Sequence, residues 1–166
     1  MQGLLVGAGG WVYRWEVMQP VESNPIPYRF YAAAETRAWA AAWAVGLPPG
    51  AVVALHGELG AGKTCFVQGM AEGLGIAGPV TSPTFTLLHE YGEPVRLIHM
   101  DAYRLSGPEE AEDLGFEEWL ERGAILAVEW PERISPLLPS HTLHIYLELG
   151  EDVEERVLRI TGGAGA

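Results

Sequence analysis

Positive charge is scarce in this chain. Ten Lys plus Arg stand against 22 Asp plus Glu among 166 residues, a formal charge of −12. A field of that sign repels nucleic-acid backbones and anionic lipid, so direct binding of either by this chain alone is not expected. Cysteine is nearly absent too. Cys65 by itself cannot build an internal disulfide framework, which fits a reducing compartment and makes the cytoplasm the expected location. No apolar run approaches the roughly 18 residues of a membrane span, and Met1 to Gly10, though apolar, lacks the positive start of a secretory signal. Gly7, Gly9 and Gly10 suggest a dinucleotide loop, but Val12 stands where G-x-G-x-x-G needs its third glycine.

Lysine is rarer still. The one lysine, Lys63, lies in Gly57-Glu58-Leu59-Gly60-Ala61-Gly62-Lys63-Thr64, the G-x-x-x-x-G-K-[ST] spacing of a phosphate-binding loop, while every other basic position is arginine. A compact ammonium on a flexible stem reaches phosphate oxygens where a planar guanidinium does not fit. Independent draws from this composition would give the pattern in roughly one chain in a thousand. The expected nucleotide-binding set is therefore Glu58, Leu59, Gly60, Ala61, Gly62, Lys63, Thr64 and Cys65.

The length suits one domain. Residues 1–27 end in Pro20, Pro25 and Pro27 and keep no period, which predicts a loosely ordered extension before a single domain over 28–166. Ala32 to Val45 predicts a helix stopped by Gly46-Leu47-Pro48-Pro49-Gly50. Ala51 to Leu55, Arg96 to Asp101 and Ala124 to Val128 are short apolar runs, as in strands buried on both faces of a parallel sheet. Phe66, Met70 and Leu74 recur at helical spacing after Lys63, so the glycine loop sits between a strand and a helix, where loop amides and the helix end face one anion. Val80 to Leu87 predicts extended chain. Pro108 to Leu120 predicts a helix broken at Gly115, and His141 to Leu149 with Glu154 to Thr161 a hairpin at the sheet edge. The predicted fold is α/β: a phosphate-loop NTPase with a mostly parallel central sheet flanked by helices and a C-terminal antiparallel edge hairpin.

Ligands of such sheets bind at the carboxyl ends of the strands. Asp101 and Glu129 occupy two such ends and can meet Thr64 there. A triphosphate needs Mg²⁺, which takes one or two protein oxygens and keeps several waters. Thr64 supplies a hydroxyl; of Asp101 and Glu129, one holds the metal and the other orients the attacking water, in either order. Thr84 is a candidate switch threonine, its alternative an ordinary strand residue. Trp130 adjoins Glu129 and is placed to sense nucleotide. Cys65 reads as a small packing group, and the five histidines, without metal-ligand spacing, as polar surface or satisfied core. Glu109, Glu110, Glu112, Asp113, Glu117, Glu118 and Glu121 form either a solvated face or a dock for a basic partner.

Five segments occur in order: the glycine loop 57–64, Ser82-Pro83-Thr84-Phe85, His99-x-Asp101-x-Tyr103-Arg104-Leu105, Leu114-Gly115-Phe116-Glu117-Glu118-Trp119 and Val128-Glu129-Trp130-Pro131-Glu132. Together they resemble the TsaE (YjeE) ATPases of bacterial tRNA threonylcarbamoyladenosine biosynthesis over residues 30–135, with no counterpart before Tyr28 and a looser match in the final hairpin. The resemblance implies an ATPase with ATP and Mg²⁺ as cofactors, assisting a TsaB–TsaD pair that modifies adenosine beside the tRNA anticodon. It implies that Lys63 and Thr64 grip phosphate and metal, that Asp101 and Glu129 serve metal and water, and that Thr84 is the switch. Glu35-Thr36 resembles the family's Glu-Thr before the first helix, which places Thr36 near the nucleotide. Contact with tRNA through partners agrees with the acidity noted above.

Two rivals stand beside this reading. A small-metabolite or nucleotide kinase has this size and loop but commonly closes several cations over its phosphates; here they reduce chiefly to Arg96, Arg104, Arg122 and Arg133. A nucleotide-gated binding subunit with negligible turnover is the other. A GTPase is not expected, because the guanine-reading Asn-Lys-x-Asp needs a second lysine.

Overall fold

A computed structural model of the chain describes residues 4–6, 12–14 and 27–162. Strands β1 (Leu4–Val6) and β2 (Val12–Arg14) pair antiparallel, Leu4 opposite Arg14. The loose extension expected over 1–27 otherwise lies outside the described residues.

From residue 27 the chain builds one seven-stranded sheet with helices on both faces. The elements follow in order: β3 (Tyr28–Phe30), α1 (Ala33–Ala44), β4 (Val52–His56), α2 (Lys63–Gly73), β5 (Leu88–Tyr91), β6 (Leu97–Asp101), α3 (Pro108–Asp113), α4 (Phe116–Glu121), β7 (Ile125–Glu129), a 3₁₀ segment (Pro131–Leu137), β8 (Leu143–Leu149) and β9 (Arg156–Gly162). Their sheet order is β3-β9-β8-β4-β7-β6-β5. The four central strands β8, β4, β7 and β6 are mutually parallel; β5 and β9 pair antiparallel onto their two flanks, and β3 pairs antiparallel with β9, so that it runs the same way as the central four. The hairpin β8–β9 forms as expected, but it is not the edge: β3 pairs with β9 and closes the sheet beyond it.

The apolar runs become strands buried on both faces because each face is roofed. Alternation sends Val53, Leu55, Leu97, Ile125 and Ala127 toward α1 and α2, and Val52, Ile98, Met100, Leu126 and Val128 toward α3, α4 and the 3₁₀ segment. Helix α1 buries Thr36, Trp39, Ala40, Trp43 and Ala44, a stripe of helical period. Trp43 meets Phe66 of α2 at a ring separation of 5.6 Å, and Phe66, fully buried, stabilises by about 1.5–3 kcal/mol relative to an exposed ring. Gly69 and Gly73 let α1 and α2 touch backbone to backbone. A Cβ at Gly73 would stand 2.0 Å from the carbonyl oxygen of Ala41, and one at Gly69 2.3 Å from that of Arg37.

Two expectations need correction. The extended stretch stops at Pro83, and Thr84–Thr86 form a turn, Leu87 N–H bonding back to the Pro83 carbonyl at 2.7 Å. Glu35 and Thr36 lie within the first turn of α1, not before it: the Glu35 carboxylate accepts the Tyr31 N–H at 2.7 Å and so ties down the helix start, where Ala32 offers no capping side chain. Among the described residues no helix is long and apolar enough to cross a membrane.

Candidate functional site

The glycine loop leaves the carboxyl end of β4 and enters α2 at Lys63. Gly57 fits there for two reasons: its φ is +151°, and a Cβ would lie 2.5 Å from the carbonyl oxygen of Leu147. Ala61 is buried against the core, whereas Leu59 at the tip is 91% exposed. The Lys63 ammonium donates to the carbonyls of Gly57 at 2.6 Å and Glu58 at 3.0 Å, and lies 4.8 Å from the centre of the Trp130 ring. Burial pulls its pKa below the ordinary lysine value, against the opposing pull of Glu129, Asp101 and Glu132.

Parallel pairing of β6 with β7 sets Asp101 directly opposite Glu129, so both carboxylates end neighbouring strands on one rim. They are 5% and 4% exposed, which is uncommon for acids and requires partners. Asp101 Oδ1 accepts the Tyr103 N–H at 2.9 Å, and Oδ2 accepts the Thr84 hydroxyl at 3.0 Å. Ser82 completes that chain, 2.6 Å from the Thr84 oxygen. Glu129 Oε1 lies 2.8 Å from His99 Nε2 and 3.5 Å from the Thr64 hydroxyl, the outer limit of a hydrogen bond.

Of the residues singled out from sequence, Lys63, Thr64, Asp101, Glu129, Thr84 and Trp130 thus form one connected cluster around the loop. The ordinary-strand alternative for Thr84 does not fit, since it sits on a turn and bonds Asp101. Thr36 makes no hydrogen bond to that cluster: it is buried in α1, and its hydroxyl has no hydrogen-bond partner among the described residues. Cys65 donates its thiol to the Ala33 carbonyl at 3.4 Å, and burial pushes its pKa up, as suits a packing group rather than a nucleophile.

Four contributors were not anticipated. His99 is fully buried against Glu129; strand alternation from Asp101 was the signal, since residues two apart share a face. Ser82 and Tyr103 support Asp101, the Tyr103 ring packing 5.0 Å from Trp130. Arg156, on β9, donates to the Gly60 carbonyl at 3.4 Å and brings a second cation to the loop that spacing alone does not reveal. The four arginines weighed earlier divide: Arg96 bonds the Leu74 and Gly75 carbonyls behind α2 and Arg122 pairs with Glu90, while Arg104 and Arg133 lie over Phe85 and Tyr103 at the rim.

The donor set suits a hard cation shared with phosphate. One hydroxyl and two carboxylates converge, and among the described residues no group of three or more His, Cys, Asp or Glu is placed to cage a metal alone.

Known proteins resemble this chain along most of its length. The family model for "Threonylcarbamoyl adenosine biosynthesis protein TsaE" matches residues 30–158, reaching into β9, further than the motif-bearing stretch. The tRNA threonylcarbamoyladenosine biosynthesis protein TsaE of Treponema pallidum (strain Nichols) is 44% identical over 121 residues, covering 73% of this chain and 90% of that protein. Its namesake in Bacillus subtilis (strain 168) is 44% identical over 124 residues, covering 74% and 77%. The crystal structure of Bacillus subtilis YdiB superposes with a TM-score of 0.72 at 36% identity, covering 86% of this chain and 90% of that one.

Proposed function

The chain belongs to the TsaE family, and from that premise we propose that it is a Mg²⁺-dependent ATPase subunit required to form threonylcarbamoyladenosine in tRNA beside the anticodon, acting on a TsaB–TsaD type partner complex in the cytoplasm. The observation that carries the reading is the rim itself: a glycine loop with its lysine and threonine, faced by two buried carboxylates at the ends of adjacent parallel strands.

The residues divide the work as follows. Lys63 turns from the Gly57 and Glu58 carbonyls to phosphate oxygens, exchanging neutral acceptors for anionic ones. Thr64 and one of the two carboxylates would hold Mg²⁺, which when bound neutralises charge on the phosphate oxygens. The carboxylate not committed to the metal accepts a hydrogen bond from the attacking water and orients it for in-line attack. Thr84, on its turn and tied to Asp101, responds to what Asp101 binds. The tRNA is reached through the partners, since a chain of charge −12 repels a phosphate backbone. ATP turnover resets or activates the partner complex and contributes no atoms to the modified base.

The test is ATP hydrolysis by the chain alone, then with the purified partner pair and tRNA, with threonylcarbamoylation scored in parallel. Glu129→Gln is expected to bind ATP yet fail to support modification; if modification persists at the wild-type rate, nucleotide acts by gating alone. Transfer of phosphate to a small acceptor in a metabolite panel would replace the reading with a kinase.

A further inference from the structure

His99 is fully buried and lies outside the phosphate cradle. It precedes Asp101 by two residues in β6, so both side chains face α2. Its Nε2 is 2.8 Å from Glu129 Oε1, the oxygen that the Thr64 hydroxyl also faces. Its other ring nitrogen, Nδ1, is buried with no hydrogen-bond partner among the described residues. A carboxylate oxygen accepts, so the ring hydrogen between the two groups belongs to Nε2. Nδ1 is then best left a bare lone pair, because an unpaired acceptor is tolerated in a protein interior better than an unpaired N–H. Leu97 and Ala127 line the same face of β6 and β7, and an apolar side chain beside them would leave no polar atom dry. Among the described residues, the one polar contact of the His99 side chain is to a candidate site carboxylate.

We propose that His99 is a positioning residue for Glu129. Its hydrogen bond holds Oε1, the oxygen that the Thr64 hydroxyl faces, and limits the carboxylate to one orientation at the rim. Second-layer partners of this kind fix the direction of a ligating or proton-accepting group without touching substrate. The inference rests on the ATPase reading above.

Three substitutions test it. In His99→Gln the side-chain amide nitrogen reaches about as far as Nε2 and can donate to Oε1; in His99→Asn it falls short, and His99→Leu has no donor. Measured under conditions where wild type turns over ATP, Gln is expected to keep kcat within about threefold, while Asn and Leu lose at least about tenfold. The KM for ATP with Mg²⁺ should change by a smaller factor than kcat in all three, because Lys63 and the glycine loop are untouched. Thermal unfolding of each variant is recorded beside these values, and a loss of kcat that follows Tm across the three, rather than donor reach, overturns the proposal. So does equal activity of Asn, Leu and Gln. Nitrogen-15 NMR of the wild-type ring supplies a readout independent of turnover: hydrogen on Nε2 is expected, and a ring carrying it on Nδ1 alone overturns the proposal whatever the kinetics. A wild type that hydrolyses no ATP, alone or with partners, defeats the ATPase reading and this inference with it; an active wild type with insensitive variants defeats this inference alone.

Discussion

Removal of the Lys63 ammonium tests the site at its only lysine. In Lys63→Ala the loop loses the cation that now bonds the Gly57 and Glu58 carbonyls at 2.6 and 3.0 Å. Two effects oppose each other. Wild type must break those two bonds before it grips phosphate, which tempers its affinity, and the variant has no such bonds to break. Against that, wild type exchanges neutral carbonyls for anionic oxygens, and a hydrogen bond to a charged group contributes about 1.5–3 kcal/mol where an ordinary one contributes about 1. The variant also leaves Asp101 and Glu129, both buried, with no ammonium between them and the incoming phosphates. The charge terms prevail, and since about 1.4 kcal/mol is a factor of ten, ATP affinity should fall at least about tenfold. Titration calorimetry with ATP and Mg²⁺ measures it directly, and Trp130, its ring centre 4.8 Å from the ammonium, offers a fluorescence readout of the same event. Lys63→Met keeps an unbranched side chain of similar volume without the charge and should behave like Ala, which separates loss of charge from loss of volume. Wild-type affinity in the Met variant would refute the assignment of the loop as the phosphate site.

Three further predictions concern what holds the site in place. Gly73→Ala gains about 1 kcal/mol of helix propensity but sets a Cβ 2.0 Å from the Ala41 carbonyl oxygen, in backbone that cannot yield as a side chain can. A net loss of at least about 1 kcal/mol in urea unfolding is expected, and a more stable variant would contradict the close approach of α1 and α2. His56 and His144 share a hydrogen bond of 2.9 Å beside the loop, and burial holds both pKa values below the ordinary 6.5, with Glu132 partly opposing this at His56. The unfolded chain therefore takes up protons first as pH falls, so stability is full above pH 6.5 and declines on the way down through the lowered values; His144→Gln should flatten that decline in Tm against pH, and an unaltered profile would remove the pair from the account. Arg156→Ala, which frees the Gly60 carbonyl from the hairpin, should weaken ATP binding by about three- to tenfold through loss of one charged hydrogen bond at the loop; calorimetry showing no change would mean that β9 does not steady the loop.

How much of this was legible in the residues depended on range. Ala51 to Leu55 and Ala124 to Val128 read as buried strands because no polar residue interrupts them, and the structure roofs both faces of each. Gly115 read as a break and is one, with φ +92° between α3 and α4. The phosphate loop, its flanking strand and helix, and the two strand-end acids were all local patterns. The three residues of β3 carry too little pattern to announce a strand; only their pairing with β9, more than 120 positions along the chain, makes them one. The turn at Thr84 was hidden by β-branched neighbours whose local preference is extended, and it forms because Thr84 and Leu87 find Asp101 and Pro83 as partners.

His99 marks the boundary between what local pattern reveals and what pairing decides. Its place in an apolar strand argued burial, and burial of an imidazole demands a partner, but a sequence offers no means of choosing among 22 acids. The choice is made by the parallel register of β6 and β7, which sets His99 opposite Ala127 and brings Glu129 within 2.8 Å across a separation of 30 residues. Ala127 matters to that geometry. Directly opposite His99 on the same face of the sheet, its methyl group takes up little of the space between the two strands. The acid at the end of β7 is therefore oriented by a residue on the neighbouring strand and by the smallness of a residue on its own, neither of which belongs to the phosphate loop that first drew notice.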